Sequence, residues 1–377
     1  MSIDTDTREE NAEYGTVQKL IRRLKPWTAW IVGGALVLFF ALLPVLNFSL
    51  PGVLPGPTYS PGTLQLLALS LLFASLALSY HLLFGTAGML SFGHALYFAI
   101  GAYGLGMILG NTSLGLVPAA ALTLGAVIII AYVIGAISLR VTGISFAMVT
   151  LAFAQAGSVL IRRNAEVTGG EEGLTLNITN VPEALVGVLN TKNLYWVSLV
   201  LLVVVFLVVT WFEHSRAGHV VTATRENELR VRVIGLRPFV VKLITFVIAS
   251  ALAALVGMVY LLLQSGATPR ASSADFTLTI LVIVVLGGVG SRWGAVFGGI
   301  VYTLLDQRLT SLANSEFIDS LPPVLAIPLS EPLFILGTLF ILVVLFLPGG
   351  IAGLARRVTP RGRNVKDERA ALEEADS

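Results

Sequence analysis

Residues 85–110 read "GTAGMLSFGHALYFAIGAYGLGMILG", and the reading of this stretch decides the fold. It is apolar enough to lie in a membrane, yet it holds seven glycines, a serine and a histidine. In a helix of a soluble core each glycine would cost about 1 kcal/mol relative to alanine. In lipid no hydrophobic force drives helix against helix, and close approach through small residues supplies the packing energy instead. The composition agrees: of 377 residues, 55% are hydrophobic and only 12% charged. A soluble domain carries about 25% charged residues, so this chain cannot cover a water-facing surface. It reads as an all-α, polytopic integral membrane protein with Gly-rich broken or closely packed helices.

Working outward, a spanning helix needs about 20 mostly apolar residues. Ten candidates follow: 27–47, 63–84, 92–110, 116–138, 143–161, 194–212, 239–263, 276–290, 294–309 and 331–348. The short pair at 276–309 reads as two spans or as one broken or re-entrant pair. The flanks divide the chain into a polar tail (1–26), a membrane domain (27–350) and a second polar tail (351–377). Residues 48–62 hold four prolines and no charge, which suits a stiff external turn.

Orientation follows from Lys and Arg in the short loops. Lys19, Arg22, Arg23 and Lys25 precede the first span, which places the N-terminus inside. Ten spans then place the C-terminus inside, with Arg356, Arg357, Arg361 and Arg363. The 213–238 loop also falls inside, with Arg216, Arg225, Arg230, Arg232 and Arg237, as do Arg140 and Arg292. Only Arg162, Arg163, Lys192, Arg270 and Arg308, five of the 24 basic residues, lie outside. The 162–193 loop, with four glutamates, is then external.

No cysteine is present, which excludes disulfides, thiolate catalysis and cysteine metal sites. The four histidines form no ligand cluster, so neither a metal nor a cofactor is expected. A second glycine-rich segment, "GGVGSRWGAVFGGIVY", echoes the first 200 residues later: Gly88 matches Gly288, Ser91 matches Ser291, Ala95 matches Ala295 and Ile100 matches Ile300. Paired Gly-interrupted segments point to a transport pathway; the plainer reading is tight helix packing. Gly88, Ser91, Gly93, His94, Gly101, Gly288 and Ser291 are therefore expected to line a path or to pack helices closely. His94 is expected in the first turn of its helix, satisfied by backbone rather than relaying protons. In the internal loop, Thr224 suits an N-cap, Glu226 and Glu228 the first turns, and Gly235 a stop before Pro238. A short helix there could dock on a cytosolic partner; an ordinary basic loop on anionic lipid is the alternative.

Several stretches together resemble a family: "GTAGMLSFGHALYFAIGAYGLG", "LRVTGISFAMVTLAFAQ", "TGGEEGL", "SRAGHVVTATRENELRVRVIGLRPFVVKLITFVIASALAALVGMVY" and "VVLGGVGSRWGAVFGGIVYTLL". They are similar, in order and spacing from about residue 60 to 350, to the LivM-type permeases of branched-chain amino-acid ABC importers. The resemblance implies a permease of the prokaryotic cytoplasmic membrane that moves leucine, isoleucine and valine inward. It implies as partners a LivH-type homologous permease, two cytosolic ABC ATPases and an external substrate-binding protein, with membrane lipid around it and no nucleic acid. A related branch imports urea. The resemblance makes Arg225, Glu226, Glu228, Arg230 and Gly235 the ATPase-coupling loop, and Thr168, Gly169, Gly170 and Gly173 an external-loop motif.

One departure stands out. Where the family reads like E-x-A-A-x-A-x-G, this chain keeps Glu228 and Gly235 but replaces the alanines by Arg230, Val231 and Val233.

The chain has no G-x-x-x-x-G-K-[ST] phosphate loop and no acidic pair within a span, so active transport would draw on ATP hydrolysed by another subunit. The resemblance therefore implies that this chain is not an enzyme. A path of small residues with the hydroxyls of Ser91, Ser145 and Thr150 would suit a small zwitterion and equally other small neutral solutes. The competing classes are a stand-alone carrier or channel and an integral membrane enzyme; the latter lacks any acid–base or metal constellation within a span. The topology is tested directly, because the chain is free of cysteine. Cysteines placed at Thr222 and Thr175 should react with an impermeant thiol reagent from opposite sides of the membrane. Labelling from one side would overturn the ten-span order.

Overall fold

The structure, a computed structural model, describes residues 33–46, 54–313, 331–346, 349–350 and 352–353. The tail at 1–26, nearly all of the tail at 351–377 and the basic residues flanking the first and last spans lie outside the described residues. Two compact units divide the chain, Met1–Leu64 and Gln65–Ser377. In the first, α1 (Gly33–Leu42) is followed by a turn whose Leu46 carbonyl accepts from the Thr58 hydroxyl.

The helices that follow are α2 (Pro61–His81), α3 (His94–Asn111), α4 (Leu116–Ser138), α5 (Ile144–Arg163) and the single turn α6 (Ala165–Thr168). Then come α7 (Thr191–His214), α8 (Arg216–Glu226), α9 (Glu228–Val233), α10 (Pro238–Gln264), α11 (Ala274–Gly287), α12 (Arg292–Ala313) and α13 (Pro332–Phe346). Strands β1 (Leu174–Thr175) and β2 (Gly266–Ala267) pair antiparallel, with Leu174 opposite Ala267.

Among the described residues, five helices are long and apolar enough to cross a membrane, or six counting α11 and α12, which bend by 118° at their break, as one broken span. The short pair expected at 276–309 is thus a sharply bent pair. α3 is not apolar enough on average to count among the five, although its 18 residues rise about 27 Å. Its environment explains this: α3 is buried along almost its whole length, so it faces protein and needs no apolar surface for lipid. α4 is the opposite case. Its Leu122, Ile129, Tyr132 and Val133 are exposed, the pattern of a helix whose outer face meets acyl chains.

α3 and α10 cross with their backbones in contact. A Cβ at Gly101 would fall inside contact distance of the Ala254 carbonyl, and one at Gly257 would meet the Phe98 carbonyl. Gly104 is less tightly held, facing the Thr123 methyl at 2.9 Å from an ideal Cβ. Around the crossing, Phe98 and Tyr260 bring their rings to 5.2 Å, and Tyr97 and Phe246 to 5.6 Å.

Two ends of the large unit can be told apart. At one end the last turn of α2 meets the start of α3 and the end of α7, through Ser79–His94 and His81–Glu213. At the other, the Tyr103 hydroxyl donates to the Ala267 carbonyl, and Leu174 of β1 packs where a Cβ on Gly106 would sit. The expected internal elements (213–238, Arg292) thus gather at one end and the expected external ones (162–193) at the other.

Replacing Gly101 or Gly257 by alanine should lower the thermal midpoint and the monodisperse yield in detergent, at a cost of about 1–3 kcal/mol for overpacking. Gly110 has nothing within 4 Å of an ideal Cβ, so Gly110→Ala should be neutral or slightly stabilising. Equal behaviour of the three variants would overturn the close-contact account.

Candidate functional site

The Gly85–Gly110 stretch is not one helix. α2 ends in a turn of π-helix, Leu82–Thr86, in which the Ala87 amide reaches back to the Leu82 carbonyl. A non-helical break over 87–93 follows, and α3 begins at His94. Gly88 sits at φ +66°, which only glycine adopts readily.

The Met89 amide donates back to the Leu83 carbonyl, and the rest of the break is held largely by side chains. The Tyr80 hydroxyl donates to the Ser91 carbonyl at 3.0 Å, and the Phe92 amide donates to Thr150 Oγ1 of α5 at 3.1 Å. The Gly93 amide donates to Ser91 Oγ at 3.2 Å, and the Ala95 amide to Thr277 Oγ1 of α11 at 3.1 Å. These bonds satisfy backbone donors that a helix start leaves without partners. Ser91 and Thr150 are therefore occupied and buried, while Ser145 is exposed.

His94 is fully buried, and its partner is a side chain rather than the backbone expected for it. Ser79 gives its one proton to the Leu76 carbonyl, so its oxygen accepts from His94 Nε2–H at 2.9 Å. The Tyr80 ring meets the imidazole edge-on at 5.2 Å.

The matched segment is a second break. Gly288 lies at φ +110°, and Ser291 Oγ caps α12 by accepting from the Gly294 amide at 3.1 Å. Both segments thus run helix, positive-φ glycine, serine accepting a backbone N–H, helix. Ala95 and Ala295 are both fully buried.

One carboxylate joins the two breaks. Glu213, near the end of α7, accepts from Thr86 Oγ1 at 2.8 Å and pairs with His81 Nε2 at 3.2 Å and Arg292 Nε at 3.1 Å. This cluster was not among the expected site residues; a glutamate two residues before a helix cap carries no local signal of partners so distant in sequence.

The expected helix at 224–235 is two helices. Ser215 Oγ caps α8 by accepting from the Gly218 amide, and Asn227 Oδ1 caps α9 by accepting from the Arg230 amide at 3.0 Å. Thr224 is no cap: it lies inside α8 and its hydroxyl donates to the Val220 carbonyl. The amide three residues on, that of Asn227, which such a cap would serve, already donates to the Ala223 carbonyl. Gly235, at φ +83°, ends α9, with its amide bonded to the Arg232 carbonyl and the Leu236 amide to the Val231 carbonyl. That pair of bonds is the Schellman closure.

Among the residues expected to form the coupling loop, Arg225 is exposed but reaches across to the first break. Its guanidinium donates to the Gly85 carbonyl, and its stem fills the space a Cβ on Gly88 would need. Glu226 and Arg230 are exposed. Glu228 is turned toward its own chain, pairing with Lys242 Nζ of α10 and Arg232 at 2.5 Å each. Val231 is buried, whereas Leu229, Val233 and Ile234 are 71%, 80% and 72% exposed.

At the opposite end, Thr168 Oγ1 donates to the Ile161 and Asn164 carbonyls, and Gly169, Gly170 and Gly173 all have positive φ. This turn delivers β1 to β2.

Residues 62–347 match the family described as "Branched-chain amino acid transport system / permease component". The chain belongs to that family. It is 26% identical to the high-affinity branched-chain amino acid transport system permease protein LivM of Escherichia coli, over 85% of this chain and 75% of that protein. The probable branched-chain amino acid transport permease protein LivM of Methanocaldococcus jannaschii is 27% identical, over 77% and 92% of the two chains. The high-affinity permease protein LivH of Salmonella typhimurium is 26% identical, over 74% and 91%. No solved structure matches.

The anchoring of α9 carries a pH dependence. Burial alone would raise the Glu228 carboxyl, but the hydrogen bonds and charges of Lys242 and Arg232 outweigh it and hold it below its ordinary value. A depressed carboxylate stabilises the fold above its unfolded value of about 4.3, and that contribution is lost as pH falls through the folded value. A spin label at Val233 should stay immobile near neutral pH and gain mobility well below about pH 4. Glu228→Gln should show the mobile spectrum already at neutral pH. An immobile label in both cases would overturn the anchoring role.

Proposed function

We propose that the chain is the LivM-type permease of an ABC importer that carries branched-chain amino acids inward across the cytoplasmic membrane, driven by ATPases on partner chains. The observation that carries this reading is the family match from α2 through α13, shared with relatives named as LivM and as LivH. The two names support pairing with a LivH-type homologue. Ten spans with both termini cytosolic, an external binding protein and two ATPases complete the proposed assembly.

The ATPase contact is proposed at α9. Leu229 and Val233, four residues apart, form one ridge on a helix, and Ile234 adjoins it. An exposed apolar ridge flanked by Arg230, Arg232 and Arg237 is suited to a groove on a soluble partner. Glu228 is the anchor behind that ridge rather than the contact itself, so the bulky Val231 and Val233 divide the roles of the replaced alanines: one packs inward, the other projects.

The test is co-purification from the native membrane followed by ATP hydrolysis in vesicles. The intact chain should bring down ATPase and homologous permease subunits, and hydrolysis should rise with binding protein loaded with leucine. Leu229→Asp with Val233→Asp should remove the ATPases from the complex while the homologous permease stays. Transport by the chain alone would replace this reading with a stand-alone carrier. Undiminished ATPase recovery with the double variant would place the contact elsewhere and leave α9 to the lipid surface.

A further inference from the structure

We propose that Glu213 is a positioning residue through which any displacement of α8 reaches both glycine breaks at once; this rests on the reading of the chain as a permease driven by partner ATPases. The geometry is specific. Glu213 stands two residues before Ser215, the N-cap of α8, so it moves with the start of that helix. Oε1 takes the hydrogen bonds of Thr86 and His81, which close the π-helical turn just ahead of the first break. Oε2 takes Arg292, the first residue of α12 after the second break. The far end of α8 is tied to the same first break through Arg225 and the Gly85 carbonyl. α8 is therefore fastened at both ends to the Gly85–Gly93 segment, and at one end to the Gly288–Ser291 segment as well.

Burial makes these links stiff. The side chains of His81, Glu213 and Arg292 are 2%, 18% and 29% exposed. Pulling one partner away leaves a charge in a poorly solvated place, which is far costlier than letting the attached backbone follow. The backbone that follows leaves the regular helix in each break and turns on a positive-φ glycine. A rigid lever joined to two hinges transmits motion; plain structural glue would join rigid parts.

The experiment uses the assembled complex in vesicles, with leucine-loaded binding protein outside, and records leucine import and ATP hydrolysis in one preparation. A wild-type chain that brings no ATPase with it would overturn the reading of function, whereas the present proposal is decided by the variants. Glu213→Gln keeps the size but loses the charge and exchanges one of the two acceptor oxygens for a donor NH2. It should lower leucine imported per ATP hydrolysed roughly tenfold or more, the range expected for a lost coupling link. Arg292→Gln should do the same, and the two together should be no worse than either, since they break one link. Arg225→Met keeps the stem against Gly88 and removes the bond to Gly85; it should also lower the ratio, and it decides the matter if the Glu213 variant does not assemble. Glu213→Asp should regain part of the ratio. A ratio unchanged in the variants that assemble, with import and hydrolysis falling in proportion to the amount of complex, would make the cluster structural glue. Losses that multiply in the double variant would show two separate roles and would equally overturn the proposal.

Discussion

The rest of the structure depends on one contact, the Ala254 carbonyl lying where a Gly101 side chain would begin. Lipid offers no hydrophobic gain when two helices meet, so their attraction must come from dispersion between closely packed atoms and from weak backbone dipoles. Both scale steeply with distance. The reciprocal approach of Gly257 to the Phe98 carbonyl makes the crossing two-sided, and α3, with its tyrosines and histidine, is buried along almost its whole length. The glycines that would weaken a soluble helix are here the reason the bundle holds.

A buried helix start raises a second problem, because its first amides have no partners within the helix and no water to turn to. α3 solves it with hydroxyls from three places: Ser91 beside it, Thr150 from α5 and Thr277 from α11. Each bond satisfies the backbone, and those of Thr150 and Thr277 also fix where α5 and α11 sit. Satisfying the break and assembling the bundle are therefore the same set of interactions.

What could be read from the sequence follows from how local each signal is. Apolar runs marked the helices, the spacing of small residues marked the α3 packing face, and the Gly88/Gly288 echo marked two breaks, because all of these are properties of neighbouring residues. Gly235 was legible as a stop for the same reason. Thr224 misled because Ser215 and Asn227 are also good caps, and which one is used depends on where α7 and α10 place the chain. The partners of His94 and Glu213 were not legible at all. Ser79, Thr86 and Arg292 become neighbours only once α2, α7 and α12 have packed, and one sequence carries no record of that pairing.

The distribution of interactions also dictates where this protein can move. The α3–α10 crossing is backbone against backbone, with no side chain to compress or re-rotate, so sliding there meets steep repulsion. A push arriving at α8 and α9 therefore cannot be absorbed by shifting α10 along α3, even though Glu228 and Lys242 tie α9 to the first turns of α10. The strain passes instead to the places where the helices are interrupted, and these are the stretches at 87–93 and 288–291. Both lie at the end of the bundle that carries α8, and both are reached from it through partly buried polar contacts. The glycines thus do two kinds of work. At Gly101 and Gly257 they bring two backbones into contact, and at Gly88 and Gly288 they supply the positive φ on which the chain turns.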